Sequence, residues 1–160
     1  SGGLLGGGSA QVGAVRMLER FITTHPLIAS ELLVMEQEIE ELIKPLVQEN
    51  LRFEPRDLIA VGGTATSLAA MMQNLAEYDD DKVSGTAFSL AQLKDIYGQL
   101  GRLSLKERSQ IPSLQAGRED VIVCGAAVLV KVTELMGVAR FYTSVGDLLY
   151  GKLVEPPGRY

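Results

Sequence analysis

The spacing of apolar and polar residues along the chain predicts a helix-rich α/β fold. Apolar residues at intervals of three and four predict amphipathic helices over residues 13–22 and 29–48. Pro26 separates these two helices, because proline disfavours a helical conformation in the residue before it. Pro45 lies inside the second helix and is expected to kink it or end it early. The apolar face expected for the first helix carries Val15, Leu18, Phe21 and Ile22.

Two short apolar runs predict strands, and two longer segments predict further helices. Residues 58–61 contain no polar residue, which is typical of a strand covered on both faces, and residues 140–144 predict a second strand. A packing helix rich in alanine and methionine is expected over residues 66–75. The helix predicted over residues 118–136 is apolar around most of its circumference, so we expect it to be central and buried, with Gly137 ending it.

Two capping boxes predict additional short helices. In this motif a serine hydroxyl accepts a hydrogen bond from the N–H three residues later, and a glutamate or glutamine there reaches back to the serine N–H. The pairs are Ser89 with Gln92, whose helix is expected to reach Leu100, and Ser104 with Glu107, whose helix should end before Pro112.

The chain is expected to form one domain with a short segment at each end. Its 160 residues are enough for a self-standing core. Residues 1–10 are rich in glycine and are interpreted as a flexible linker or an expression scar. Residues 11–154 form the predicted domain, in which residues 78–82 are a polar surface loop and residues 147–153 a final short helix. Residues 155–160 are interpreted as a tail.

The strand, glycine turn and helix start around Gly62-Gly63 form the most informative functional pattern. Amides at the start of a helix point outward and carry partial positive charge, which suits a phosphate or another anion. Thr64, Thr66 or Ser67 is expected to cap this helix. The same pattern also occurs as an ordinary connection in α/β domains, where the glycines serve only packing. The candidate anion contacts are Gly62, Gly63, Thr64, Ala65 and Thr66.

Arg118 and Ser144 are secondary candidates. Arg118 opens a predicted buried helix, where a guanidinium either bonds local carbonyls or reaches an anion, and the local role is favoured. Glu119 and Asp120 are expected in the first turn of that helix, where acids suit the helix dipole. Ser144 ends the second predicted strand.

Composition and charge narrow the class of protein. Hydrophobic residues make up 46% of the chain and charged residues 22%, as in a globular domain. The net charge is −5 without a basic cluster, which disfavours nucleic acid as a partner. The apolar run at residues 121–130 is too short to span a membrane, and the start does not resemble a secretory signal. Cys124 is expected to be a buried, inert thiol, which fits a reducing cytoplasm.

Candidate catalytic and metal-binding residues are scarce. His25 is the only histidine, which disfavours a Ser-His-Asp triad and a histidine-rich metal site. The aspartates at residues 79–81 lack the glycine and the distal glutamate of a calcium loop and are interpreted as solvated. No pair of carboxylates stands out as an acid and a base. We therefore assign no catalytic residue and no metal ligand to this chain.

Several motifs in order resemble the exopolyphosphatase/guanosine pentaphosphate phosphohydrolase family, called Ppx/GppA. The resemblance spans residues 11–154, and separate motifs that agree in order are more specific than the glycine turn alone. The motifs are residues 12–21, residues 61–70, Tyr78, Val83-Ser84-Gly85, Glu107-Arg108, residues 116–122, Gly125-Ala126 and residues 144–151.

The resemblance implies a fold and a mechanism. Family members resemble actin-type ATPases, with two ribonuclease-H-like lobes that close over a phosphate-lined cleft, and this chain resembles most of the second lobe. The Gly62-Gly63-Thr64 turn then corresponds to a polyphosphate or nucleotide contact loop. The other lobe supplies the first phosphate loop and the carboxylate that activates water. The second phosphate loop is missing or only mimicked, because residues 6–9 lie so close to Val12.

The resemblance implies a phosphohydrolase that cleaves terminal phosphoanhydride bonds of inorganic polyphosphate or guanosine pentaphosphate with Mg²⁺. Its expected partners are these phosphates, guanosine tetraphosphate and the absent N-terminal lobe, and a second copy could cover the exposed sheet edge as a homodimer. The isolated fragment is expected to have little or no turnover. The alternatives are a noncatalytic guanosine-nucleotide-binding or assembly module and, with less support, a nucleotide-dependent kinase.

A substitution in the turn tests the site assignment. Gly63→Val is expected to abolish anion binding in the intact parent, because a branched side chain would occupy the space of the ligand and would penalise a positive φ.

Overall fold

A computed structural model describes residues 5–146, in which helices pack on one small mixed sheet, as the helix-rich α/β prediction requires. The helices are α1 (Ala14–Phe21), α2 (Ala29–Leu51), α3 (Gly63–Met72), α4 (Asp80–Val83), α5 (Leu90–Arg102), α6 (Leu105–Arg108) and α7 (Ile122–Met136), and the strands are β1 (Leu58–Val61), β2 (Ala87–Ser89) and β3 (Arg140–Ser144). The predicted helix 147–153 and tail 155–160 lie outside the described residues.

In the part of the chain that the structure describes, the sheet has three strands in the order β1-β3-β2. β1 runs parallel to β3 with Leu58 opposite Phe141, and β2 runs antiparallel with Phe88 opposite Phe141. The rings of Phe88 and Phe141 stack with centroids 5.0 Å apart and anchor the sheet in the core. β2 is absent from the sequence-based prediction, because three residues are too few to show an alternating pattern.

The prediction that β1 is covered on both faces is wrong. Ile59 is 64% exposed and Val61 is 52% exposed, whereas Ala60 on the other face is buried. β1 is an edge strand of the described sheet, and the described helices cover only one of its faces. The uninterrupted apolar run therefore leaves an uncovered apolar surface beside the glycine turn.

Helix α7 forms the centre of the fold, as predicted. Its buried residues face several directions, and it packs against α1, α2, α3 and α5. It begins at Ile122, four residues later than expected, because Asp120 Oδ1 accepts a hydrogen bond from the Val121 N–H at 2.7 Å. Glu119 and Asp120 therefore precede the helix and do not lie in its first turn. Gly137 ends it with φ of 66°.

Helix α2 continues through Pro45 to Leu51, so the proline does not end it early. Its buried residues lie on both sides of the proline, and this packing offsets the loss of about 3 kcal/mol that an interior proline brings. These buried residues are Met35, Ile39, Ile43 and Val47. In α1, Met17 is the buried residue, and Val15 is exposed although the apolar face was expected to include it.

The remaining local predictions hold in part. Both capping boxes form, with Gln92 N–H at 3.2 Å from the Ser89 hydroxyl and Glu107 N–H at 3.3 Å from the Ser104 hydroxyl. The predicted surface loop at residues 78–82 is instead interrupted by α4, because the Asp79 carboxylate caps its N–H groups and Val83 is buried.

A buried arginine ties the loop before α2 to α5 and to the approach to α7. Arg108 is fully buried, and its Nε donates to the Leu100 carbonyl at 2.9 Å. Its Nη1 donates to the Glu119 carbonyl at 3.0 Å and lies 3.3 Å from His25 Nδ1. Burial lowers the pKa of His25, and the charge of Arg108 lowers it further, against the opposing effects of Asp120 and Glu31.

A close helix–helix contact gives a testable prediction about stability. A Cβ at Gly125 would lie 2.7 Å from Thr64 Cγ2 and would overlap the Thr64 hydroxyl. Gly125→Ala is therefore expected to lower the free energy of unfolding by about 1–3 kcal/mol, as overpacking does. Gly98→Ala is the control, since nothing lies within 4 Å of its Cβ position in α5. The free energy of unfolding of that variant, measured in urea, should rise by up to about 1 kcal/mol.

Equal effects of the two variants would contradict a close contact between Gly125 and Thr64.

The His25 environment predicts a pH dependence of stability. Because the folded-state pKa lies below the unfolded value of about 6.5, the unfolded chain binds the proton more readily. Stability should therefore fall as the pH drops below about 6.5 toward the lower folded-state pKa, and His25→Gln should remove this part of the fall. Urea unfolding at several pH values measures it. Identical pH profiles of the two proteins would exclude a contribution from His25.

Candidate functional site

The turn between β1 and α3 is built on glycine for a geometric reason. Gly62 has φ of 95°, a conformation that side chains disfavour, and it is the N-cap of α3. The helix starts at Gly63, three residues before the predicted position. The expected capping by Thr64, Thr66 or Ser67 is wrong, because these residues lie inside the helix and no side chain caps it. The first N–H groups of α3 are thus left without a side-chain cap.

The five candidate anion contacts do not all face the same side of the turn. Thr64 packs against α7 at Gly125, and the Ala65 side chain is buried in the core. The Thr66 hydroxyl lies 3.5 Å from the Gly62 carbonyl and 3.4 Å from the Gly63 carbonyl. Thr64 and Ala65 can therefore meet a ligand only through their backbone N–H groups.

A surface cavity of about 300 Å³ opens at this turn. Its walls bring two predicted parts of the site together, the glycine turn and Arg118, which lie far apart in the sequence. The lining residues are Gly62, Gly63, Thr66, Tyr78, Asp80, Gln115, Arg118 and Val145. The turn is therefore open to a ligand and is not sealed beneath other residues.

The guanidinium of Arg118 lies directly on Gly63. A Cβ at Gly63 would overlap this group, so glycine is required for the close approach. Arg118 Nε donates to Gln115 Oε1 at 2.8 Å, and no carboxylate within residues 5–146 forms an ion pair with it. Its charge therefore adds to the positive end of the α3 dipole.

The position of Arg118 corrects the physical reason behind the Gly63→Val expectation. The positive φ belongs to Gly62, and Gly63 has no such requirement. A side chain at Gly63 would first displace the Arg118 guanidinium and would not simply fill open ligand space.

The lining of the cavity also includes a phenol and a carboxylate. Tyr78 donates its hydroxyl hydrogen to Asp80 Oδ1 at 2.8 Å. Burial raises the pKa of Tyr78, so its hydroxyl keeps its proton near neutral pH. Asp79 is used elsewhere, since it caps α4 and pairs with Lys82 at 3.1 Å. The cavity thus offers hydrogen-bond donors to an anion and one acid that is already bound to a phenol.

Ser144 lies at the same end of the sheet as the turn, opposite Val61 in the parallel register. Its Oγ accepts a hydrogen bond from the Gly146 N–H at 3.0 Å, so the hydroxyl stabilises the local chain. Val145, the next residue, lines the cavity.

Sequence reasoning missed Tyr78, Asp80 and Gln115 as parts of the site. Gln115 lies three residues before Arg118, and this spacing in a loop is the one signal that could have indicated its role. Tyr78 lies just before α4 and Asp80 is its first residue, and only the three-dimensional packing brings them to the turn.

Other candidate chemistry is limited within the described range. Residues 5–146 contain no group of three or more metal-ligating side chains. None of the described helices is both long and apolar enough to cross a membrane. Cys124 is fully buried, and burial raises the pKa of its thiol to about 11, as expected for an inert cysteine.

The chain resembles several known phosphatases in sequence. Exopolyphosphatase 2 of Mycobacterium tuberculosis is 26% identical over 147 residues, which cover 89% of this chain and 46% of that protein. The bifunctional 3-dehydroquinate synthase/phosphatase of Fusobacterium nucleatum is 26% identical over 156 residues, or 92% of this chain and 22% of that protein. The chain therefore spans about half the length of the mycobacterial relative and about a fifth of the length of the Fusobacterium relative.

Solved structures share the fold. The Ppx/GppA phosphatase of Aquifex aeolicus matches with a TM-score of 0.79 and 24% identity, covering 89% of this chain and 46% of that one. An exopolyphosphatase from Cytophaga hutchinsonii matches with a TM-score of 0.75 and 23% identity, covering 89% and 48%. At sequence identities this low, the similarity to these two structures shows a shared fold and nothing more.

The sequence profile of one family covers most of the chain. The profile of the Ppx/GppA phosphatase family matches residues 7–154. This range begins inside the segment interpreted from the sequence as a linker. By this match and the shared fold, the chain belongs to the Ppx/GppA phosphatase family.

Proposed function

We propose that this chain is the second ribonuclease-H-like lobe of an actin-like phosphohydrolase that cleaves terminal phosphoanhydride bonds of inorganic polyphosphate or guanosine pentaphosphate. The observation that carries the proposal is the Arg118 guanidinium lying on Gly63 at an uncapped helix start. Family membership and the likeness to exopolyphosphatase 2 support this reaction class.

The turn and Arg118 hold phosphate oxygens in this proposal. Backbone N–H groups of residues 63–65 donate to one phosphate, while Arg118 can donate two parallel hydrogen bonds to an adjacent one. Phosphoryl transfer depends chiefly on positioning and on neutralising charge, and both are properties of this arrangement.

The water-activating base comes from elsewhere in the proposal. Asp80 is the one carboxylate among the residues that line the cavity, and it accepts the Tyr78 hydroxyl. The other lobe therefore supplies the base and the first phosphate loop. Within residues 5–146 no three metal-ligating side chains come together, so in this proposal the Mg²⁺ of the intact parent takes its protein ligands chiefly from outside this range.

The exposed face of β1 supports the need for a second structural unit. Ile59 and Val61 are large apolar side chains left open beside the cavity. Burial of apolar surface stabilises association by about 25 cal/mol per Å². We propose that the absent lobe covers this face, with a second copy of the chain as the alternative occupant.

A noncatalytic module is the second candidate function. It is favoured by the pairing of Asp80 with Tyr78, which leaves the cavity without a free acid or base. In that case the turn binds guanosine nucleotides or polyphosphate without hydrolysing them.

A binding assay on the purified chain tests the proposed site. Tripolyphosphate or guanosine tetraphosphate at about 100 times its dissociation constant should stabilise the chain by about 2.7 kcal/mol in thermal unfolding at constant ionic strength. Phosphate release by the chain alone should stay at background. Turnover near that of a full-length enzyme, or no stabilisation by either ligand, would contradict the proposal.

Variants at the turn separate the role of Arg118 from simple loss of folding. Arg118→Ala should weaken tripolyphosphate binding by about 1.5–3 kcal/mol, or about 10- to 150-fold. Gly63→Ala should also weaken binding because it displaces the guanidinium, while the free energy of unfolding changes little. Arg102→Ala, which removes an exposed charge from the end of α5, is the matched control.

Gly62→Ala should affect stability, in contrast to Gly63→Ala, which should affect binding. Its φ of 95° and ψ of 170° lie in a region that almost only glycine adopts, so alanine should cost about 1–3 kcal/mol of stability. Calorimetric titration and urea unfolding of all four variants measure both quantities. Unchanged affinity in Arg118→Ala would remove Arg118 from the site.

A further inference from the structure

A second cavity lies at the far end of α3 from the glycine turn. It has a volume of about 480 Å³ and is enclosed by the end of α3, by α5 and by residues 111–113. Met71, in its wall, follows Gly63 by about 12 Å along a helix that rises 1.5 Å per residue. Its size is within the range of small-molecule sites, and its position separates it from the phosphate site.

The walls of this cavity are apolar with a few uncharged polar groups. Met71, Ile96 and Ile111 represent the apolar part. The polar lining residues are Asn74, Gln99 and Ser113, and no charged side chain from residues 5–146 lines the cavity. An ionic ligand would lose its hydration here without gaining a counter-charge, so phosphates are disfavoured.

The polar groups have hydrogen-bonding capacity to spare. Ser113 lines the cavity with 3% of its surface exposed, and its hydroxyl can both donate and accept a hydrogen bond. Gln99 Nε2 donates to Asp95 Oδ2 at 2.8 Å, which leaves the Gln99 carbonyl oxygen as an acceptor. Asn74 adds an amide with one donor group and one acceptor. A ligand with polar groups on its edge can pair with these three side chains, whereas a purely apolar ligand would leave them unused.

We propose that this cavity binds an uncharged aromatic heterocycle of nucleobase or nucleoside size that carries an exocyclic amine. The ring packs on the apolar wall, where the Met71 thioether favours contact with an aromatic group. The amine donates to Gln99 Oε1, and ring nitrogens pair with Asn74 and Ser113, because amide side chains match the donor and acceptor pattern of a base edge. The proposal is independent of the phosphate site.

Calorimetric titration of the 160-residue chain with adenosine tests this proposal. Ser113→Ala should weaken adenosine binding by about 3- to 10-fold, the effect of losing one hydrogen bond. Ala76→Trp, a change at an exposed position in the cavity wall, should abolish binding by filling the cavity. Ser84→Ala and Ala91→Trp are matched controls at exposed positions outside the cavity and should leave the dissociation constant unchanged. Thermal unfolding confirms that each variant is folded.

The outcomes separate this site from the phosphate site. Saturating tripolyphosphate should not displace adenosine. No binding of adenosine up to about 10 mM, or binding that survives Ala76→Trp, would overturn the proposal. Tighter binding of adenosine triphosphate than of adenosine, lost in Ala76→Trp, would also overturn it because the cavity would then recognise charge.

Discussion

The contact of Thr64 with Gly125 is the constraint on which the candidate site depends. It lets the start of α3 lie against the buried helix α7 without a side chain between them. Since Arg118 comes just before α7, the same contact brings its guanidinium onto Gly63. Helix packing in the core therefore sets the distance between two positive groups at the surface, the helix terminus and the arginine.

The two glycines of the turn have different roles that the sequence motif does not distinguish. Gly62 supplies a positive φ that ends the strand and starts the helix. Gly63 supplies space for Arg118. A substitution at Gly62 therefore strains the backbone, whereas a substitution at Gly63 displaces the charge of Arg118.

Sequence reasoning predicted much of the fold and some of the residues that line the cavity at the turn. The strand–turn–helix segment, both capping boxes and the central α7 follow from local patterns that packing reinforces. The continuity of α2 through Pro45 depends on its packing against α7, and the short strand β2 depends on its pairing with Phe141 in β3. No local pattern reveals either contact. Tyr78 and Asp80 join the site for the same reason.

Amide chemical shifts provide the most direct test of the proposed phosphate site. In ¹H–¹⁵N spectra of the chain titrated with tripolyphosphate at constant ionic strength, the backbone amides of Gly63 and Thr64 and the Arg118 Nε–H should shift most, with one common dissociation constant. Shifts that are largest elsewhere on the chain, or the same at Gly63 and at exposed lysines, would contradict an anion site at the turn.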